Sequence, residues 1–284
     1  MNDYAIDESQ VGKRLDVYIQ ENFPNYSRST IQRLLKNESV LINGKAQKNS
    51  YKIKINDDII VSGFEPEQVG VIEIPVLYED DDCVVINKPE GILSHSKGAL
   101  NTEPTVASWL KPRLVGITGE RAGIVHRLDR GTSGVMICAK TDKAQIFLQK
   151  QFAERNTKKV YLAIIRGTID PIEAIIDMPI QRNPKSPSRF KVSVNGKSAV
   201  THYKQIKTNG HYSLIELTPQ TGRTHQLRVH LAQMKHPIIG DLFYNGEIAD
   251  RLYLHAESLE ILLPTKTKKI FTAKPDNSFL AKVD

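Results

Sequence analysis

The sequence predicts an α+β protein in which a small N-terminal helical and hairpin unit precedes a larger, strand-rich domain. Two observations carry this. Four apolar, β-branched runs are spaced irregularly and interrupted by only two helix-like stretches, unlike the regular alternation of a doubly wound sheet. The chain, at 284 residues, also exceeds the roughly 100–200 of an average domain, so two unequal domains are expected.

From Arg14, the apolar residues Leu15, Tyr18 and Ile19 fall at i, i+3 and i+4, and Ile31, Leu34 and Leu35 repeat the pattern after Phe23-Pro24. This predicts two short helices, the second with Ser27 or Ser29 as its N-cap. Val40-Leu41-Ile42 then runs into Asn43-Gly44, the dipeptide best suited to the positive φ angles of a tight hairpin, and Asp58-Ile59-Ile60-Val61 supplies a closing strand. These elements make a first domain over 1–62. The stretch 63–75 has two prolines, several acids and no helical period, and reads as a linker. In the remaining domain, 76–284, strands are expected over 82–87, 134–139, 160–165 and 212–217, two of them apolar enough to be buried on both faces. Helices are expected over 141–152 and 224–234, each opening on a threonine.

Charge is unevenly placed. The net charge is +7, yet residues 12–62 hold nine basic and five acidic side chains and residues 181–235 hold ten and one, whereas residues 65–90 hold eight acids and one lysine. A polyanion would meet two positive surfaces. The stretch 182–204, with Lys185, Arg189, Lys191 and Lys197 among Pro, Ser and Asn, reads as a loop or hairpin suited to gripping phosphates. Cys83 and Cys138 sit in apolar runs and read as small buried hydrophobes. With no basic flank, no apolar leader and no stretch near the roughly 18 apolar residues of a spanning helix, a soluble cytoplasmic protein without a membrane partner is expected.

Several chemistries lack their carriers. The sequence has no Gly-x-Gly-x-x-Gly, no P-loop, no Cys-x-x-Cys and no Gly-x-Ser-x-Gly. His225 and His230 are five apart on an expected helix, roughly 140° around its axis, the wrong spacing for one metal. What remains is acid, Arg, Tyr and His chemistry, and one segment gathers it. The run His126-Arg127-Leu128-Asp129-Arg130-Gly131-Thr132-Ser133-Gly134 leaves an apolar strand, crowds two arginines around one carboxylate and re-enters a strand through small residues. By residue type alone, this is equally a surface turn in which Asp129 caps local amides.

That run resembles the signature of RNA pseudouridine synthases of the RluA type, whose catalytic residue is its aspartate. The resemblance extends to Val85-Ile86-Asn87-Lys88-Pro89-Glu90-Gly91, Lys159-Val160-Tyr161-Leu162-Ala163, Thr221-Gly222-Arg223-Thr224-His225-Gln226-Leu227-Arg228-Val229-His230, His236-Pro237-Ile238-Ile239-Gly240-Asp241 and Leu254-His255-Ala256, in the family's order. Arg14-Leu15-Asp16, Ser27-Arg28 and Val40-Leu41-Ile42-Asn43-Gly44 are similar to an S4 RNA-binding module. Gly131, where the family often has a polar residue, and Leu263-Pro264, where His-Pro is common, depart from the pattern and bear on substrate choice.

The resemblance implies a mixed, largely antiparallel central sheet with flanking helices, and isomerisation of uridine to pseudouridine in RNA. Ribosomal RNA of the large subunit is the first substrate expected and transfer RNA the second. The implied enzyme is a monomer that needs no cofactor and no metal, because nothing enters or leaves in net terms. Asp129 is implied as the catalytic carboxylate, paired with Arg223, with Tyr161 packed on the uracil and Leu254 as an apolar wall. Arg127 would fill the gap left by a flipped nucleotide, with Arg130 beside it on the substrate. Arg28, Arg33 and Lys36 would grip RNA from the first domain, and His126 has no implied role. Two alternatives stand beside this reading: an RNA-binding assembly factor without chemistry, and a hydrolase that releases free uracil.

Overall fold

In the computed structural model, residues 6, 8–23, 26, 28–62, 72–95, 103–119 and 121–284 are described. The N-terminal unit contains α1 (Leu15–Asn22), α2 (Arg28–Lys36), β1 (Val40–Ile42), β2 (Lys45–Ala46) and β3 (Ile59–Val61), its strands antiparallel in the order β2-β1-β3. The apolar stripes read from the sequence form its core, with Leu15, Tyr18, Ile19, Ile31, Leu34 and Leu35 buried against Val40, Ile42 and Ile59. Asn43 and Gly44 both take left-handed conformations, with φ of 50° and 74°, as the β1–β2 turn demands. Ser27 as a cap and residues 63–71 of the expected linker lie outside the described residues.

The larger unit is built on β4 (Val76–Glu79), β5 (Cys83–Lys88), β6 (Ser133–Ala139), β7 (Lys158–Arg166), β8 (Glu173–Asp177), β11 (Val200–Thr208), β12 (Tyr212–Pro219), β13 (Leu254–Leu262) and β14 (Lys268–Thr272). They form one sheet in the order β4-β5-β6-β13-β7-β12-β11-β8, with β14 beside β13. A separate hairpin pairs β9 (Ile180–Arg182) with β10 (Phe190–Val192). Helices α3 (Val106–Leu110), α4 (Asp142–Ala153), α5 (Gln226–Gln233) and α6 (Asn277–Leu280) complete the unit. The sheet is antiparallel apart from the β6–β13 pair, which makes it the mixed α+β sheet expected.

The four strands legible in the sequence are β5, β6, β7 and β12. Every residue of β6 is buried, and β5 nearly so. One layer of core packs Ala144 and Leu148 of α4 on Val135 and Ile137 of β6, and another packs Leu227 and Leu231 of α5 on Ala163, Ile165 and Ile215. Cys83, in the first of these layers, and Cys138, in a third with Ile86 and Met136, are buried free thiols. The Thr141 side chain caps α4 by accepting from the Ala144 amide at 3.2 Å, as expected. Thr224 does not cap α5: the helix begins at Gln226 behind His225, whose φ is 57°. The turn is closed instead by the Gln226 carboxamide, whose oxygen accepts from the Thr221 hydroxyl at 2.7 Å and the Arg223 amide at 2.9 Å. The stretch 182–204 is the β9–β10 hairpin followed by the first half of β11.

One glycine lets the sheet join in its middle. Gly134 has φ of 112°, and a Cβ there would lie 2.1 Å from the Ala256 carbonyl oxygen, so only glycine lets β6 pair with β13. Beside this seam Lys88, at the end of β5, is fully buried. Its ammonium donates to the carbonyls of Pro89 and Ile92 at 2.8 Å each and of Arg130 at 3.3 Å. Burial draws its pKa down to about 7, against the pull of Asp129 and Glu90. The Arg130 carbonyl also accepts from the Gly91 amide at 2.8 Å. The Ser94 hydroxyl donates to the Leu128 carbonyl at 2.8 Å and accepts from the Leu128 amide at 3.1 Å. Segment 88–94 therefore clamps the residue on either side of Asp129. Among the described residues no helix is long and apolar enough to cross a membrane.

Replacing Lys88 by Met keeps the volume but takes their side-chain donor from the carbonyls of Pro89 and Ile92, and is expected to cost about 2–4 kcal/mol, read as a lowered Tm. An unchanged Tm would show that the clamp holds without the ammonium.

Candidate active site

Asp129 lies on the loop between the Ile124–Cys138 bridge and β6, its side chain 19% exposed at the bottom of a groove. The backbone is fixed from both sides by the clamp and closed by a Thr132 amide to Asp129 carbonyl bond of 3.1 Å. What reaches its carboxylate is Arg228, not Arg223. The Nη1 of Arg228 donates to Asp129 Oδ2 at 3.0 Å, while its Nε and Nη2 donate to the two oxygens of Asp241 at 2.7 Å each. Arg223 sits in the turn before α5 and sends its Nε to the Ser198 carbonyl at 3.0 Å. The expected Asp129–Arg223 pair is therefore corrected. Arg228, in the first turn of α5, points inward over Asp129, whereas the turn at 221–225 carries Arg223 to the rim.

This buried guanidinium has both of its carboxylates in place. Burial pulls the Arg228 pKa down, and the hydrogen bonds and charges of Asp241 and Asp129 more than reverse that, so it is raised. His225 approaches the same carboxylate, with Nε2 3.6 Å from Asp129 Oδ2. Its Nδ1 is 2.8 Å from the Tyr244 hydroxyl, which accepts from the Phe190 amide at 3.0 Å.

One arm of the groove, about 520 Å³, is lined by Asp129, Tyr161, Leu254, Arg127, Arg223 and Arg228 among others. Tyr161 projects from β7, its ring packed between two core layers, and burial followed by the Asp129 charge raises its pKa, so it stays a neutral phenol. Leu254 opens β13 and is buried in the same wall. Arg127 is exposed and makes no ion pair among the described residues, whereas Arg130 pairs with Glu103 at 2.6 Å. Lys159, also on this arm, has its pKa lowered by burial and by Arg155. His126 is structural. Its ring stacks on Phe152 at 4.4 Å, its Nε2 accepts from the Ile137 amide at 3.1 Å, and burial followed by Lys159 pushes its pKa down to about 3. In the N-terminal unit Arg28, Arg33 and Lys36 all lie on α2, with Arg28 and Lys36 exposed and Arg33 half-buried.

The structure thus gathers Asp129, Tyr161, Leu254, Arg127 and Arg223 in one arm, with Arg130 on the adjoining one. The sequence reading missed Arg228, Asp241 and His225 as parts of the site. All three stood inside the runs that carried the resemblance. Arg228 and Asp241 are 13 apart, and only the bend after α5 brings them together.

A family described as RNA pseudouridylate synthase matches residues 82–233, and one described as S4 domain matches residues 13–59. A ribosomal large subunit pseudouridine synthase D from Borreliella burgdorferi is 38% identical over 94% of this chain and 87% of its own length. The protein of the same description from Escherichia coli K12 is 37% identical over 85% and 76%. Among solved structures, human RNA pseudouridylate synthase domain containing 1 is similar, with a TM-score of 0.60 and 29% identity over 72% of this chain and 84% of that one.

Because Asp241 has no exposed side-chain surface, Arg228→Met should cost about 3–5 kcal/mol by leaving a buried carboxylate without its cation. Adding Asp241→Leu should return most of that loss, while Arg223→Met should cost less than about 1 kcal/mol. Thermal unfolding of the three variants checks this, and a larger loss for Arg223→Met would reverse the assignment of the partner.

Proposed function

The chain belongs to the RNA pseudouridylate synthase family, and on that premise we propose that it converts uridines of large-subunit ribosomal RNA to pseudouridine, with Asp129 as the catalytic carboxylate. The observation that carries the residue assignment is the placing of Asp129: its backbone clamped, its charge matched by Arg228, its face open to a pocket of about 520 Å³, roomy enough for a nucleoside.

The reaction breaks the bond between uracil N1 and the sugar C1′, turns the base, and joins C5 to C1′. N1 ends with a proton and C5 gives one up, so no redox partner or group donor is required. Asp129, held in place by Arg228, serves as the nucleophile at the sugar or as the base that takes a sugar proton. Tyr161 packs on the turning base as a neutral phenol, which suits it to a ring and hydroxyl contact and not to phenolate chemistry. Leu254 closes the apolar side, which helps keep water from the separated sugar and base.

A stacked uridine reaches Asp129 only when flipped, at a cost of a few kcal/mol. Arg127 suits the vacated position, since it is exposed at the mouth and its guanidinium plane stacks well on bases. Arg223 at the rim and Arg130, whose exposed pair with Glu103 is weak enough to exchange for phosphate, grip the backbone. Domain boundaries at 1–62 and 76–284 fit the two family matches. In this reading Arg28, Arg33 and Lys36 on α2 form a second grip on the same RNA. In this reading the protein acts as a monomer in the cytoplasm.

Incubation with a large-subunit ribosomal RNA transcript, followed by nuclease digestion and mass spectrometry, is expected to show pseudouridine. Free uracil would mark a hydrolase, no change a binding factor, and product on transfer RNA alone would move the substrate. Asp129→Asn is expected to abolish product while RNA affinity stays within about tenfold; retained turnover would sink the assignment of the carboxylate. Removing residues 1–62 should raise KM more than it lowers kcat.

A further inference from the structure

The groove does not end at Asp129. A second arm, about 820 Å³, shares Arg127, Asp129, Thr224, His225 and Arg228 with the first and continues on the other side of the carboxylate. Its wall is unlike the uracil pocket. Phe243 and Leu242, on the short turn Leu242–Tyr244, are 45% and 60% exposed inside it. An exposed phenyl ring in a groove lined by arginines offers apolar surface that a stacked partner would cover.

The ring is held in place. Tyr244, the next residue, is tied by its hydroxyl to the Phe190 amide and His225, and the His225 ring meets Phe243 edge-on at 6.2 Å. Guanidinium groups surround it: Arg228 lies 5.5 Å and Arg189 5.8 Å from the Phe243 centroid, and Arg182 lies 5.2 Å from that of Phe190. Aromatic faces flanked by arginines, in an arm that opens on the reacting carboxylate, suit a planar base with a phosphate at its edge.

We propose that this second arm is a nucleobase subsite, in which a nucleotide adjacent in the RNA to the flipped uridine stacks on Phe243 while Arg182 and Arg189 hold its phosphate. The proposal rests on the reading that Asp129 acts on a uridine within RNA. It gives the β9–β10 hairpin a defined task, since the hairpin brings Arg182, Arg189 and Phe190 to the arm. It also makes the neighbour of the target a determinant of which uridine is chosen.

The test uses the full chain and a short RNA spanning a uridine that it modifies in the ribosomal transcript. Phe243→Ala should raise KM about tenfold with kcat changed less than threefold, and Phe243→Trp should restore KM. An abasic nucleotide at one position flanking the uridine should weaken binding to the unaltered protein by a similar factor, and should have no further effect on Phe243→Ala. An unchanged KM, or abasic losses that multiply with the Phe243→Ala loss at every position, overturns the subsite. Because the RNA is chosen by the pseudouridine that the unaltered protein makes in it, absence of product overturns the proposed function at that earlier step, and the affinity comparison then decides the subsite alone. Because Phe243 is exposed, the Ala variant should keep its Tm, and the Trp rescue separates stacking from a fold defect.

Discussion

One buried guanidinium holds the site together. Arg228 spends a two-pronged contact on Asp241 and has a single nitrogen left for Asp129. The first contact fixes where the second points, because the fork is planar and Asp241 is itself buried in the wall. A lysine in that position could satisfy the charge of one carboxylate but could not fix the direction of a second bond. The two acids and one base leave a local excess of negative charge, which the surrounding Arg127, Arg223 and Lys159 balance from the rim. The orientation of Asp129 is thus set from the side chain outward.

It is set a second time from the backbone. Segment 88–94 grips Leu128 and Arg130 by their peptide groups, so Asp129 stands between two anchored residues. Preorganisation of this kind matters for a reaction that must hold a sugar and a free base in register while the base turns, since the positioning is complete before the substrate arrives.

Much of this was legible in the sequence where a local rule applied. The stripes of α1 and α2, the Asn43-Gly44 turn, the Thr141 cap and the buried strands β5 and β6 each follow from neighbours in the chain. Strands β8, β11 and β13 were not legible, because their faces are mixed and their burial depends on partners distant in sequence. The same division holds at the site. Tyr161, Leu254 and Asp129 line one pocket, the grouping that the family resemblance implied. Two arginines in one run compete for the carboxylate, and which of them turns inward is decided by a turn closed by the Gln226 side chain, not by residue type. The exposed aromatic turn at Leu242–Tyr244 carries no motif at all.

The place of β13 in the sheet has a consequence for how the protein comes into being. This strand lies between β6 and β7 and supplies Leu254 to the pocket wall, yet it is made after both of its neighbours. During synthesis β6 and β7 must wait, with apolar edges unmatched, for a strand that emerges about 90 residues later, at ribosomal rates a delay of several seconds or more. Until then there is no closed pocket. A nascent chain therefore carries Asp129 well before the wall that faces it across the pocket has been made.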